Sequence, residues 1–267
     1  LTGYVPKRLT EYTNQPPISG RSVHVGYRGR KLAYWYGALG CEKWEIAEKW
    51  HQYVSKNKLN TDISCQESER IYGDAWIQFL SSCKTTLGVE SGASVMDFTG
   101  KLEKKVELYQ FLRPSASFKQ VQEKYFLNQE NLHNLNQISP RCFEAIALKT
   151  VLVLYEGDYS GILIPGRHYI ALKKDYSNIK DVLALIQDDA YLQNMADTAY
   201  EEIALNPLYS YQVFIQKVDA VLQDEFKARQ KTSILSPYEP ALFEKHIQYG
   251  TLYNTLLNQA INIYRYL

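Results

Sequence analysis

The chain has 267 residues, 45% of them hydrophobic, with 30 basic and 29 acidic side chains and a net charge of +1. That is ordinary globular material with a sizeable core, in one large domain or two small ones. The charge balance argues against a protein whose main partner is a nucleic acid, and no run of 18 apolar residues is present to cross a membrane.

Residues 1–21 carry Pro6, Pro16, Pro17 and Gly20 with few periodic apolars, and read as a linker or an arm. Ser22–Tyr27 alternates as a strand, and Gly26, Gly29, Gly37 and Gly40 punctuate the turn after it. The spacing of Trp44, Ile46, Ala47, Trp50, Tyr53 and Val54 predicts a helix over Cys41–Lys56. A short strand at Leu59–Ile63, a helix at Asp74–Cys83 and a buried strand at Thr85–Val89 come next. From Lys101 to about Glu130 the chain is charged and helically periodic, which marks 98–137 as a helical insertion. A short helix at 140–148 runs into strands at 150–155 and 168–173. Helices at 178–187, 190–204 and 208–230 come after them, and a last amphipathic helix spans about 241–266 within a C-terminal segment, 236–267. Its polar face holds few Lys or Arg, so it does not read as a membrane-surface helix.

Strand and helix alternate through this order, which predicts an α/β fold: a Rossmann-like parallel sheet with helices on both faces, a helical insertion and a helical tail. Ligands of such sheets bind at the carboxyl ends of the strands. The turns after strands 22–27, 85–89 and 150–155 are therefore expected on one rim.

Three stretches on that rim carry chemistry. Gly26-Tyr27-Arg28-Gly29-Arg30-Lys31 combines close backbone approach with cations suited to phosphate, and Lys43 lies in the next helix. A solvated basic loop would have the same composition. Glu90-Ser91-Gly92-Ala93-Ser94 comes directly after a buried strand, where small residues can turn N–H groups toward an anion and Glu90 can meet sugar hydroxyls. A plain tight turn also fits. Ser139-Pro140-Arg141-Cys142-Phe143-Glu144 opens a helix, with Ser139 as N-cap and Pro140 in first position. Its unpaired N–H groups and positive dipole end suit a phosphate, Arg141 adds a bidentate donor, and Glu144 can accept from two sugar hydroxyls. Arg141 and Glu144 could equally form a surface ion pair.

The histidines His24, His51, His133, His168 and His246 are dispersed, with none at metal-ligand spacing to Asp or Glu, so no metal site is expected. Cys41, Cys65, Cys83 and Cys142 form no C-x-x-C pair, which points away from zinc and disulfides and toward a reducing, cytoplasmic setting. The chain has no G-x-S-x-G, no Walker loop and no strand leading into G-x-G-x-x-G.

Ser139-Pro140-Arg141-x-Phe143-Glu144-Ala145, the apolar strand after it, Gly166-x-His168-Tyr169-Ile170 and Asp175 resemble the C-terminal, donor-binding half of group-1 glycosyltransferases. Within that group they look most like CgeB-like and bacterial surface-polysaccharide transferases. Gly26–Arg30, Asp62-Ile63-Ser64, Arg70-Ile71-Tyr72-Gly73 and Glu90–Val95 add to the likeness, which covers roughly residues 22–205.

The resemblance implies a GT-B enzyme, in which two Rossmann-like domains face a cleft and the second holds a nucleotide-diphosphate sugar as substrate, with no other cofactor. Glu144 would then hold the ribose hydroxyls. Arg28, Arg30 or Lys43 would neutralise the diphosphate, and Glu90 with the amides of Ser91, Gly92 and Ser94 would meet the donor sugar or phosphate. The domain would span 22–235, with 1–21 an interdomain linker, and the first Rossmann-like domain would be missing ahead of Leu1. The acceptor would be a glycan or lipid-linked hydroxyl, and the enzyme would sit in the cytoplasm or at the inner face of the membrane. Segment 98–137 is longer than the link usual between these motifs. The rival readings are a non-catalytic nucleotide-binding or scaffolding module and a nucleotide-sugar epimerase.

Overall fold

A computed structural model describes residues 3–54, 58–130, 132 and 135–230, with side chains through 227. In chain order the strands are β1 (Val23–Arg28), β2 (Thr61–Ser64), β3 (Cys83–Gly88), β4 (Val151–Tyr155) and β5 (Tyr169–Leu172). The helices are α1 (Lys7–Thr10), α2 (Ala38–Val54), α3 (Gly73–Ser82), α4 (Lys101–Leu112), α5 (Phe118–Tyr125), α6 (Pro140–Ala147), α7 (Ile179–Ile186), α8 (Asp189–Ala199) and α9 (Tyr211–Gln230). Short single turns lie between them. The helix expected at 241–266 falls outside the described residues.

The strands form one parallel sheet in the order β2-β1-β3-β4-β5. This is a doubly wound, Rossmann-like arrangement, as the alternation of elements implied. Its pleat explains the sequence pattern. Leu152 and Leu154 face one side of β4 and pack with Phe79 and Leu80 of α3 and Phe143 and Ile146 of α6. Val151, Val153 and Tyr155 face the other side, with Ile46 and Trp50 of α2, Ile186 of α7 and Met195 of α8. Both faces are covered, so β4 is apolar at every position.

The arm at 3–21 lies on this domain. The Val5 N–H donates to the Tyr209 carbonyl at 2.7 Å, and Leu9 and Ile18 are buried. Arg21 is buried at the amino ends of β3 and β4. Its guanidinium donates to the carbonyls of Pro16, Cys83 and Leu148 and to the Thr150 hydroxyl. Burial brings its pKa down to about 10, offset in part by Cys83.

The insertion is two helices folded on each other. Asp97 caps α4 by accepting from the Glu103 amide, a capping box of Ser117 and Gln120 starts α5, and Arg113-Pro114 breaks the chain between them. Leu102, Val106, Val121 and Phe126 form their core, which packs on Tyr34 and Trp35 in the turn after β1. From Lys217 the chain belongs to a second unit, whose described part is the end of α9.

Candidate functional site

In a sheet ordered 2-1-3-4-5, the connections leaving β1 and β3 run in opposite directions, and a crevice opens between the carboxyl ends of those strands. The register places Arg28 level with Ser64, Gly26 with Thr86, and Gly88 with Leu154, so the strand ends share one rim. A hollow of about 270 Å³ lies in the crevice. Its floor includes Leu87, Gly88, Leu152 and Leu154, and its mouth Arg30, Lys43, Arg70, Glu90, Ser91 and Arg141. A second hollow of about 350 Å³ adjoins it, lined by Arg28, Tyr72, Pro140 and Glu144 among others. Gly29, Arg70, Trp76, Ser139 and Arg141 border both.

The cations differ in what they already touch. Arg28 is committed to the fold. It donates to the carbonyls of Tyr27, Asp62 and Glu69, pairs with the Asp62 carboxylate at 2.8 Å, and lies over the Phe79 ring. With four donor contacts on its guanidinium, Arg28 fastens β1 to β2. Arg70 and Arg30 both face Glu67, at 2.7 and 3.8 Å. Lys43 and Arg141 have no carboxylate partner among the described residues. Arg141 lies on the Trp76 ring, 5.2 Å from its centroid, and donates to the Arg28 carbonyl. The Lys43 pKa is lowered from its usual 10.5 by burial first and then by Arg141. Two positive groups thus converge on the mouth with their charge uncompensated.

The acidic residues are positioned as acceptors. Glu90 is buried, and its two oxygens accept from the Tyr159 amide and the Asn136 side chain, each at 2.9 Å. This ties together the turns after β3 and β4 and the returning end of the insertion. Glu144 accepts from the Trp76 indole N–H at 2.8 Å, so it does not pair with Arg141.

Two amides of the turn at 91–94, expected to meet an anion, are already committed. The Ser91 amide donates to Gln137 and the Ser94 amide to Tyr36, which leaves neither free for a ligand. Ser94 is buried instead against Glu130 and donates to its carboxylate. Gly92 has φ +121°, and a side chain there would strike the Leu135 carbonyl. Its glycine serves that close approach, and neither Gly92 nor Ser94 borders the two hollows.

Thus Arg30, Lys43, Glu90, Ser91 and Arg141 meet at the first hollow, Arg28, Arg141 and Glu144 at the second, and Gly92 and Ser94 at neither. Arg70, Trp76 and Tyr27 are site residues that the sequence alone leaves unassigned. Trp76 has the spacing of a core aromatic, and only the acceptor on its indole reveals its second role. Cys142 borders the first hollow, but burial pushes its thiol up to about 12, so it stays protonated near neutral pH. No group of three or more His, Cys, Asp or Glu converges among the described residues.

The fold and this crevice define a doubly wound α/β domain with a cationic cleft at its topological switch point. No protein-family profile and no curated protein matches the sequence. Among solved structures, TarM, a glycosyltransferase, matches at 13% identity with a TM-score of 0.41, over 74% of this chain and 34% of the TarM chain. The chain therefore spans about a third of the TarM chain's length.

Proposed function

We propose that the chain is the donor-binding part of a GT-B-type glycosyltransferase, moving a sugar from a nucleotide diphosphate to an acceptor hydroxyl. The observation that carries this reading is the pair Lys43 and Arg141, two cations without carboxylate partners among the described residues, at the mouth of a switch-point hollow. A diphosphate supplies the missing charge. As the glycosidic bond breaks, negative charge grows on the leaving diphosphate. Cations already in place stabilise that charge without reorganising, an effect worth about 3–4 kcal/mol for one well-placed donor. In this reading Glu144, at the second hollow beside Trp76, accepts from ribose or sugar hydroxyls. In this reading the cations do the neutralising and no metal is needed.

Glu90 borders the hollow, but both its oxygens already accept hydrogen bonds. A carboxylate so held makes a poor general base, so the proposal assigns the acceptor-side groups to another domain. The proposed acceptor is a glycan or lipid-linked hydroxyl, and the motif resemblance is what supports a setting in bacterial surface-polysaccharide synthesis.

Calorimetric titration with UDP-, GDP- and CMP-sugars tests the reading. A diphosphate sugar should bind at millimolar or better affinity, above the monophosphate CMP-sugar, and Arg141→Ala should weaken it. If no diphosphate sugar binds, or if Arg141→Ala and Glu144→Ala both bind as the parent does, the proposal fails. Binding with no transfer even when the acceptor-side domain is supplied would favour a nucleotide-binding module, and product formed without any acceptor would favour an epimerase.

A further inference from the structure

The helix α4 is apolar on two sides. Leu102 and Val106 point into the insertion's own core. On the opposite side Lys101, Lys104, Lys105, Leu108, Phe111 and Leu112 are all exposed. At a helical advance of 100° per residue they fall within an arc of about 120°. Phe111 is 81% exposed, Leu112 68% and Leu108 59%. Phe98, also 81% exposed, precedes the helix. The fold explains the inner stripe and gives the outer one no partner among the described residues.

We propose that this outer face of α4 docks on an anionic lipid surface. The composition fits that occupant: large apolar side chains end the helix, and three lysines flank them against one exposed carboxylate on the helix, Glu107. Apolar side chains enter the boundary between headgroups and acyl chains, while lysines lie along it with their ammonium groups at the phosphates. The charge also argues against a second copy of this chain. A two-fold contact would set the patch against itself and bring the same lysines face to face. No helix among the described residues is long and apolar enough to cross a membrane, so the contact is a surface one. The inference is independent of the transferase reading, since α4 borders neither hollow.

The test is flotation of the full chain with vesicles of phosphatidylcholine alone or with about 30% phosphatidylglycerol, at low and high salt. The parent should float with the anionic vesicles only and be released by salt. The pair Phe111→Ser and Leu112→Ser should lower the partition roughly a hundredfold, because each large apolar side chain contributes about a decade. Lys104→Glu with Lys105→Glu should abolish it. Both pairs are exposed, and circular dichroism checks that they fold as the parent does. The inference is overturned if the parent ignores anionic vesicles, if it binds neutral ones equally, or if the variants float like the parent. A concentration-dependent dimer that Phe111→Ser with Leu112→Ser dissolves would also overturn it.

Discussion

Replacing Lys43 by Met separates stability from binding and sets their signs against each other. The Lys43 ammonium is partly desolvated at the hollow and lies near Arg141, which is why its pKa is lowered. Met keeps the aliphatic stem and removes the charge. In the free protein this relieves a cost, so Lys43→Met should be slightly more stable than the parent. The pH dependence has a definite sign. Between the lowered pKa and the usual 10.5, the unfolded chain binds more protons at this lysine than the folded one. The parent's stability should therefore rise with pH across that window, and the rise should be smaller in Lys43→Met. Binding moves the other way. A charge-assisted hydrogen bond to phosphate is worth about 1.5–3 kcal/mol, so the affinity for a nucleoside diphosphate should fall roughly 10- to 150-fold. Urea unfolding from neutral to alkaline pH gives the first quantity and calorimetry with UDP the second. A variant less stable than the parent that binds UDP equally well would show that Lys43 is an ordinary packing residue.

Arg21→Met should cost about 2–4 kcal/mol in urea unfolding, because it removes the donor to the carbonyls of Cys83 and Leu148 and to the Thr150 hydroxyl, which keeps only its bond to the Leu80 carbonyl. A cost below about 0.5 kcal/mol would contradict the stapling role. Glu90→Gln keeps the shape but turns an NH2 group toward one of two existing donors, the Tyr159 amide or Asn136. A loss of about 1–2 kcal/mol is expected, and a neutral result would mean that the carboxylate is not the acceptor that joins these turns. The Glu202 carboxyl is held down to about 2 by Arg167 and His168, and its stabilisation is therefore present above the unfolded value near 4.5. It is lost as pH falls toward 2, so the stability gap between parent and Glu202→Gln should close on acidification. A gap unchanged from neutral pH down to the acid end of that window would refute this. Glu130→Ala removes the acceptor shared by the Ala38 amide, the Ser94 hydroxyl and the Gln122 amide, and should cost about 2 kcal/mol. Limited proteolysis should then cut 97–137 faster than in the parent, and an unchanged cleavage pattern would show that the insertion docks without it.

The sheet is legible in the sequence because its signals are local and repeated. Val151–Tyr155 can only be a strand covered on both faces, and the alternation of strand and helix implies the shared rim. The boundaries slip where tertiary contacts decide them. The helix α2 starts at Ala38 rather than Cys41 because Gly37 turns the chain at φ +79° and Glu130, distant in sequence, holds the Ala38 amide. Cys83 has the spacing of a helix end and instead begins β3, since α3 runs into the strand without a loop. For the site, residue type is readable and commitment is not. Arg28 and Arg141 look alike in sequence, yet Asp62 and Glu69 meet the first, and no carboxylate among the described residues meets the second. Ser91 and Ser94 have the right small side chains, but their amides are taken by Gln137 and Tyr36, partners that only the folded insertion and the turn after β1 bring near.

These commitments decide where on the rim an anion can go. In a doubly wound sheet the helix after β1 usually directs its amino end at the crevice and offers it to phosphate. Here that end is occupied: Glu130 accepts from the Ala38 amide at 2.6 Å, and the Ser94 hydroxyl accepts from Leu39. A phosphate arriving there would have to displace a carboxylate already bonded to several donors, against like charge. The uncompensated positive charge lies elsewhere, at Lys43 in the second turn of α2 and at Arg141 in the first turn of α6. Pro140 at the start of α6 has no N–H, so that end lacks one amide, and in the proposed reading the Arg141 side chain, laid on Trp76, supplies a donor there. In the same reading the insertion, by placing Glu130 on α2, shifts anion binding from the helix after β1 to the one that precedes β4.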